Sequence, residues 1–394
     1  MGDLTPDCPA PLEAVGWRDP ILAQLPDLER ELTAAERARL LSQPEYWAAL
    51  CPALHVGDPE MARLAADSVL DVDPDLVDEC RERMLLDGYF NIDAAFTPEE
   101  PESGRSLDWA VDVAALADGV KRLTEAGWPA SFLLMYDEPW IMAHQLKNFM
   151  LMTTGNRLIM DFSFFHVGGG RSASGATEVT AGAKSSRGWP PHRDRGTDEA
   201  AAAFRTDGTP KYSTTWIPLT DATTTNSCLY AVSQRHDPGY FAGDFGKNPL
   251  QAVFCKPEAF QHIKALPCPA GSLVHFSHRL IHWGSAADED WQRRRSEGPR
   301  IALSFACADE SFERPYLVAR SSPLPPVNIR ASLISGLALA YLQNEEPGDF
   351  RSKLYWDVFQ QNLAAFDRKF VGIVSDNYKA YSDRERGQSS TGEV

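Results

Sequence analysis

The hexapeptide Trp189-Pro190-Pro191-His192-Arg193-Asp194 constrains the fold more than any other stretch of this chain. Side chains at i and i+2 of a β-strand leave the same face. His192 and Asp194 therefore project together from one short extended segment, and the Pro-Pro pair holds the approach to it extended. Such a pair reaches one metal ion without bending the backbone. Two histidines and one carboxylate are the facial ligand set of non-haem Fe(II), which leaves coordination positions open. The third ligand must come from a distant strand, so a closed or sandwiched β-fold is implied. A segment starting at Gly271 offers three histidines, His275, His278 and His282. His275 falls mid-strand, where packing alone accounts for it. His278 and His282 flank Arg-Leu-Ile, and a ligand just before Gly284-Ser285 suits a site at a barrel mouth. A lone His-x-Asp also fits a surface turn with a salt-bridged acid, so the pair gains weight only from this context.

The texture of the chain agrees with a β-core. Residues 158–165, 212–219, 227–232, 272–276 and 301–307 are short, rich in aromatic and branched residues, and separated by turn signals, which predicts an antiparallel sandwich or jelly roll. Residues 1–156 read as mainly helical. Thr33-x-x-Glu36 forms a capping-box pattern. Val113, Leu116, Val120 and Leu123 trace a helix face that Gly127 is placed to stop. Residues 87–92 predict one early strand. Residues 311–394 return to helix, with Phe359, Leu363, Phe366 and Phe370 at 4, 3, 4 spacing, and a loose polar tail is expected from Ser382. The whole chain, 1–394, is expected to form a single domain with its β-core at 157–310. Residues 168–188 hold six glycines and little bulk. They predict a loop that is either a surface excursion or a lid near His192.

A net charge of −17 argues against nucleic acid and anionic membranes as partners. No basic region followed by an apolar stretch opens the sequence, so a cytoplasmic location is expected. The seven cysteines include no Cys-x-x-Cys and predict scattered reduced thiols. Lys184, Arg187, Arg193 and Arg195 cluster around the His-x-Asp segment. They suggest an anionic small-molecule substrate met by Arg187, Trp189, Arg193 and Trp283, although such bases also pair with acids such as Asp198 and Glu199.

Arg300 opens the segment Arg-Ile-Ala-Leu-Ser304 and shares a strand face with Ala302 and Ser304. An inward guanidinium needs an anion, because an unpaired buried charge is costly. A bound dicarboxylate supplies one in bidentate fashion. A strand-initial arginine can instead point to solvent.

Taken in order, these segments resemble the phytanoyl-CoA dioxygenase-like family of Fe(II)/2-oxoglutarate oxygenases. Residues 216–236 are similar to its signature of aromatic-x-x-Leu-x-Asp-Ala, Asn-Gly-Cys-Leu and Pro-Gly-Ser-His, and the likeness spans about residues 85–310. The resemblance implies a mainly β fold with α, a double-stranded β-helix flanked by N- and C-terminal helices. It implies His192, Asp194 and His282 as iron ligands and Arg300 as the partner of the distal carboxylate of 2-oxoglutarate. Trp216 and Ser304 would lie beside that cosubstrate. Fe(II), 2-oxoglutarate and O₂ are the implied cofactor and cosubstrates, with succinate and CO₂ as coproducts. Trp283 makes Ser285 a poor cosubstrate contact, and Arg293, Arg294 and Arg295 compete with Arg300, which is favoured because it alone opens the apolar strand. Halogenases of similar scaffold replace the acid with a small residue. Retention of Asp194 therefore favours hydroxylation, or a desaturation or cyclisation. Two other classes remain: a jelly-roll binding protein without turnover, and a cupin-like metal-dependent isomerase, which needs no arginine anchor.

Overall fold

The computed structural model describes residues 33–70, 72–93, 107–126, 128–167, 189–195, 200–244, 248–284, 299–318, 324–341 and 349–389. The strands are β1 (Tyr89–Ile92), β2 (Arg157–Val167), β3 (Trp189–His192), β4 (Tyr212–Pro218), β5 (Leu229–Val232), β6 (Ile263–Leu266), β7 (Leu273–Ser277), β8 (Ile281–Gly284) and β9 (Arg300–Ala308). They form two antiparallel sheets, ordered β1-β7-β4-β9-β2 and β3-β8-β5-β6. From β2 onward the chain crosses between the sheets at every step except β5 to β6. That path is a jelly roll, the double-stranded β-helix expected above.

The two faces of β9 show why the sheet sits where it does. Ile301, Leu303, Phe305 and Cys307 join the large core shared with the helices. Arg300, Ala302, Ser304, Ala306 and Ala308 alternate with them, and all but the first are small. Large residues outward pack the five-stranded sheet against helices such as Val113–Glu125 and Val327–Ala340, whereas small residues inward leave room between the sheets. The helical layer is itself tightly packed. A Cβ at Gly336 would lie 2.7 Å from the Phe359 ring, so only glycine allows that approach.

Local sequence signals fare unevenly. The Thr33–Glu36 box forms reciprocally: the Thr33 amide donates to Glu36 Oε2 at 2.8 Å, and the Glu36 amide donates to Thr33 Oγ1 at 3.2 Å. The early strand is β1, paired with β7. The aromatic stripe at 359–370 is not one helix. Helix Asp349–Phe359 ends, a 3₁₀ segment with non-helical Asn362 follows, and a new helix Arg368–Ser389 begins. Phe359, Phe366 and Phe370 still converge in the core while Leu363 is exposed. The tail expected from Ser382 is helical through Ser389. Gly127 and the 168–188 loop lie outside the described residues. Among the described residues, no helix is long and apolar enough to cross a membrane.

Candidate metal centre

β3 lies at the edge of its sheet, where two prolines cost no ladder hydrogen bond that a central strand would need. Its last residue, His192, is the register partner of His282 on β8. Cross-strand partners have neighbouring Cβ atoms, and the two imidazole centroids are 4.3 Å apart. Asp194 Oδ1 is 3.5 Å from the Nε2 atoms of both His192 and His282. The three ligand atoms all lie within 4.8 Å of one another. His275 and His278, the other candidates for third ligand, are buried elsewhere: His275 Nδ1 lies 2.9 Å from Thr215 Oγ1 and His278 Nδ1 lies 2.7 Å from the Tyr212 carbonyl.

The surroundings prepare these atoms for a cation. His192 Nδ1 meets the Pro190 carbonyl at 2.8 Å and His282 Nδ1 meets the Leu280 carbonyl at 3.1 Å. Each carbonyl accepts from Nδ1–H, which leaves the Nε2 lone pair free for a metal. Burial pushes the His282 imidazole down to about 4, so it is neutral at neutral pH. Burial alone would raise the Asp194 carboxyl, but His282, His192 and the Thr214 hydroxyl hold it well below the usual carboxylate range. Thr214 Oγ1 donates to Asp194 Oδ2 and so orients the acid. Two imidazoles and one carboxylate fit a divalent cation.

The triad opens into a cavity of about 310 Å³ also lined by Trp189, Trp216, Arg300 and Ser304. Trp189 stands edge-on to His192, with centroids 5.8 Å apart. Trp216 and Ser304 are register partners on β4 and β9. Arg300 is buried, and its guanidinium faces the Phe165 and Trp216 rings at 5.7 Å. Its one hydrogen bond among the described residues is Nη2 to Ser227 Oγ at 3.3 Å, and Nε has no partner. No carboxylate pairs with it among the described residues. Burial lowers this guanidinium to about 10, against the opposing influence of Cys228 and Cys268. Two backbone features make its space. Gly284 has no Cβ, which would sit 3.3 Å from Nη2. Ser227 takes φ 82, in the left-handed region that favours glycine.

Two candidate substrate residues are corrected. Arg193 alternates to the face opposite His192 and Asp194. Its guanidinium is held by Asp237 at 2.5 Å, by Asp244 at 2.8 Å and by the Arg279 carbonyl, so it is a structural tie and does not line the cavity. Trp283, one residue past His282, also faces away and stacks on Tyr230 at 5.7 Å. Arg187, Ser285 and Arg293 to Arg295 lie outside the described residues.

The cavity holds a polar cluster that sequence reading missed. Asp161, Arg195, Tyr212 and Tyr341 all line it. Asp161 is the only charged residue in the apolar run 158–165, and that was the available signal. Burial pushes its carboxyl up, opposed by Arg195 and the tyrosine hydroxyls.

No protein-family model matches this chain, and no curated protein matches it. Solved structures with a similar fold include SnoN, a non-heme alpha-ketoglutarate-dependent epimerase from nogalamycin biosynthesis, at 18% identity over 60% of this chain and 82% of that one, TM-score 0.38. AviO1 from Streptomyces viridochromogenes Tue57 is 15% identical over 61% and 97%, TM-score 0.38. EctD from S. alaskensis, solved with 2-oxoglutarate and 5-hydroxyectoine, is 13% identical over 61% and 77%, TM-score 0.36. At these values the chemistry of the site rests on its own geometry.

Proposed function

We propose that this chain is a non-haem Fe(II)/2-oxoglutarate-dependent dioxygenase, of the phytanoyl-CoA dioxygenase-like kind, that oxidises a small molecule. One observation carries the reading. A His192-Asp194-His282 ligand set shares its cavity with Arg300, a buried guanidinium that has no acid partner among the described residues. A metal-dependent isomerase or a binding jelly roll has no need of such an arginine, which is costly to bury alone.

When bound together, Fe(II), 2-oxoglutarate and O₂ supply a two-electron oxidation coupled to release of succinate and CO₂. His192, Asp194 and His282 hold the metal, and Thr214 fixes the acid's orientation. Arg300 receives the distal carboxylate of 2-oxoglutarate, with the Trp216 ring as a wall and the Ser304 hydroxyl as a further donor. Trp189, Phe276 and Leu229 keep water from the reacting side of the cavity. Because the acid ligand is present, hydroxylation or a related hydrogen-removing oxidation is favoured over halogenation.

The test is succinate formation from 2-oxoglutarate by the purified protein with Fe(II), ascorbate and O₂. Turnover that disappears in Asp194→Ala and His282→Ala is the expected result. Equal turnover in those variants rules the reading out.

A further inference from the structure

We propose that Asp161 is the substrate-recognition residue of this cavity, and that the substrate presents to it a hydrogen-bond-donating group, in the first place a protonated amine, carried on an apolar body. The inference rests on the dioxygenase reading above, since it takes the space beside the triad as a substrate chamber.

β4 lays the cavity out in sequence. Trp216, Thr214 and Tyr212 share its inward face, two residues or about 7 Å apart. Trp216 stands with Arg300, Thr214 touches the ligand Asp194, and Tyr212 reaches Asp161. The arginine and the acid therefore mark opposite ends of one chamber, with the metal ligands between them. If Arg300 takes the cosubstrate, the Asp161 end is left for substrate.

The hydrogen bonds at that end define what it lacks. Asp161 Oδ2 accepts from the hydroxyls of Tyr212 at 3.1 Å and Tyr341 at 2.7 Å and from Arg195 Nη2 at 3.5 Å, and the Tyr316 hydroxyl, whose proton goes to Glu313 Oε1 at 2.8 Å, lies 3.2 Å away. All four converge on one oxygen. Oδ1 has no donor among the described residues, although the side chain is 5% exposed and lines the cavity. Arg195 is not available to an incoming anion. It is spent on Glu313 at 3.2 Å, on Asp161 and on the Asp194 carbonyl, with the Tyr212 ring 4.6 Å below it. The cluster holds two acids and one base, and Arg195 and the tyrosine hydroxyls oppose the upward push of burial on the Asp161 carboxyl. A carboxylate oxygen accepts only, and tyrosine hydroxyls that donate to Asp161 offer lone pairs in return. The end thus holds acceptors in excess and calls for donors. Leu337, Ala338 and Phe164 also line the cavity and offer apolar surface to a ligand's body.

A substitution can invert this preference without removing the side chain. In Asp161→Asn the amide oxygen stays with the Tyr212 and Tyr341 hydroxyls and Arg195, so the NH₂ must face the cavity, turning an acceptor into a donor. The experiment is a calorimetric titration, without oxygen, of protein loaded with Fe(II) and 2-oxoglutarate. The probes are 2-phenylethylammonium and 3-phenylpropionate, which share an apolar body. The native protein is expected to bind the ammonium at least tenfold more tightly, and Asp161→Asn is expected to reverse that order. Tighter binding of the carboxylate by the native protein, no binding of the ammonium at millimolar concentration, or an unchanged preference in Asp161→Asn overturns the inference. Fe(II) and 2-oxoglutarate affinities are read in the same samples. Their loss in the native protein would sink the dioxygenase reading, whereas their presence without the ammonium preference sinks only the role of Asp161.

Discussion

Two buried arginines, one in the helical layer and one in the jelly roll, are treated in opposite ways. Arg330, on helix Val327–Ala340, is 1% exposed and fully provided for. It pairs with Asp137 Oδ1 at 2.6 Å and donates to the carbonyls of Pro325 and Met135. Asp137 in turn accepts from the amides of Gly57 and Asp58, so one ion pair ties three parts of the helical layer together. Arg300 is 3% exposed and has, among the described residues, a single long hydrogen bond and two aromatic faces. A satisfied buried charge is structural glue. An unsatisfied one is costly to keep and marks a place that a ligand can complete.

Substitution of each arginine by methionine is the most forceful way to break this comparison. Arg330→Met strands Asp137 in the core and is expected to cost about 3–5 kcal/mol, read as the shift of a denaturant unfolding curve. Arg300→Met removes a charge that nothing pairs among the described residues, so the apo protein is expected to change by no more than about 1 kcal/mol, or to gain stability. Equal losses in the two variants would erase the distinction.

A pH series sharpens the same contrast with an uncharged case. His275 is buried on β7, its Nε2 has no partner, and burial pushes its pKa down to about 3. The unfolded chain takes up this proton near pH 6.5 and the native state only near 3, so the neutral form is the one the fold stabilises. Stability is therefore lost as pH falls through this window, at about 1.4 kcal/mol per unit from this residue. A slope between pH 6 and 4 that is no shallower in His275→Gln would contradict the assignment.

The smallest effect concerns Ser227. Glycine at φ 82 removes strain worth about 1 kcal/mol. Ser227→Gly should raise the thermal midpoint slightly while deleting the Ser227 hydrogen bond to Arg300. A lowered midpoint would mean that this bond outweighs the strain.

The sequence exposed the parts of this molecule whose chemistry leaves little choice of residue. The strand-initial position of Arg300 followed from strand geometry, whereas β3 ends at His192 and Asp194 sits in the bend beyond it, so that pair converges without lying on one strand. The small inward residues of β9 followed from the same alternation. That alternation should also have separated Arg193 and Trp283 from the cavity, since each is adjacent to a ligand and so faces the other way. Proximity in sequence to basic neighbours was given weight that side-chain direction did not support. The Asp161 cluster was harder to read. Its tyrosines come from β4, from the segment after β9 and from the end of a C-terminal helix, and β2 shifts register between Leu158 and Phe162 with Met160 at φ 65. Only tertiary packing brings those hydroxyls together. The break at Asn362 is similar, because a periodic aromatic stripe records burial and not the continuity of one helix.

In the proposed arrangement the two ends of one cavity serve different molecules, with 2-oxoglutarate held between the metal ligands and Arg300. Calorimetric titration of 2-oxoglutarate, without oxygen, into Fe(II)-loaded native protein and Arg300→Met tests it most directly. Loss of a buried charge partner costs about 2–5 kcal/mol, so affinity should fall between about thirtyfold and several thousandfold while Fe(II) loading is unchanged. Unaltered 2-oxoglutarate affinity in Arg300→Met, with iron still bound, would contradict the account.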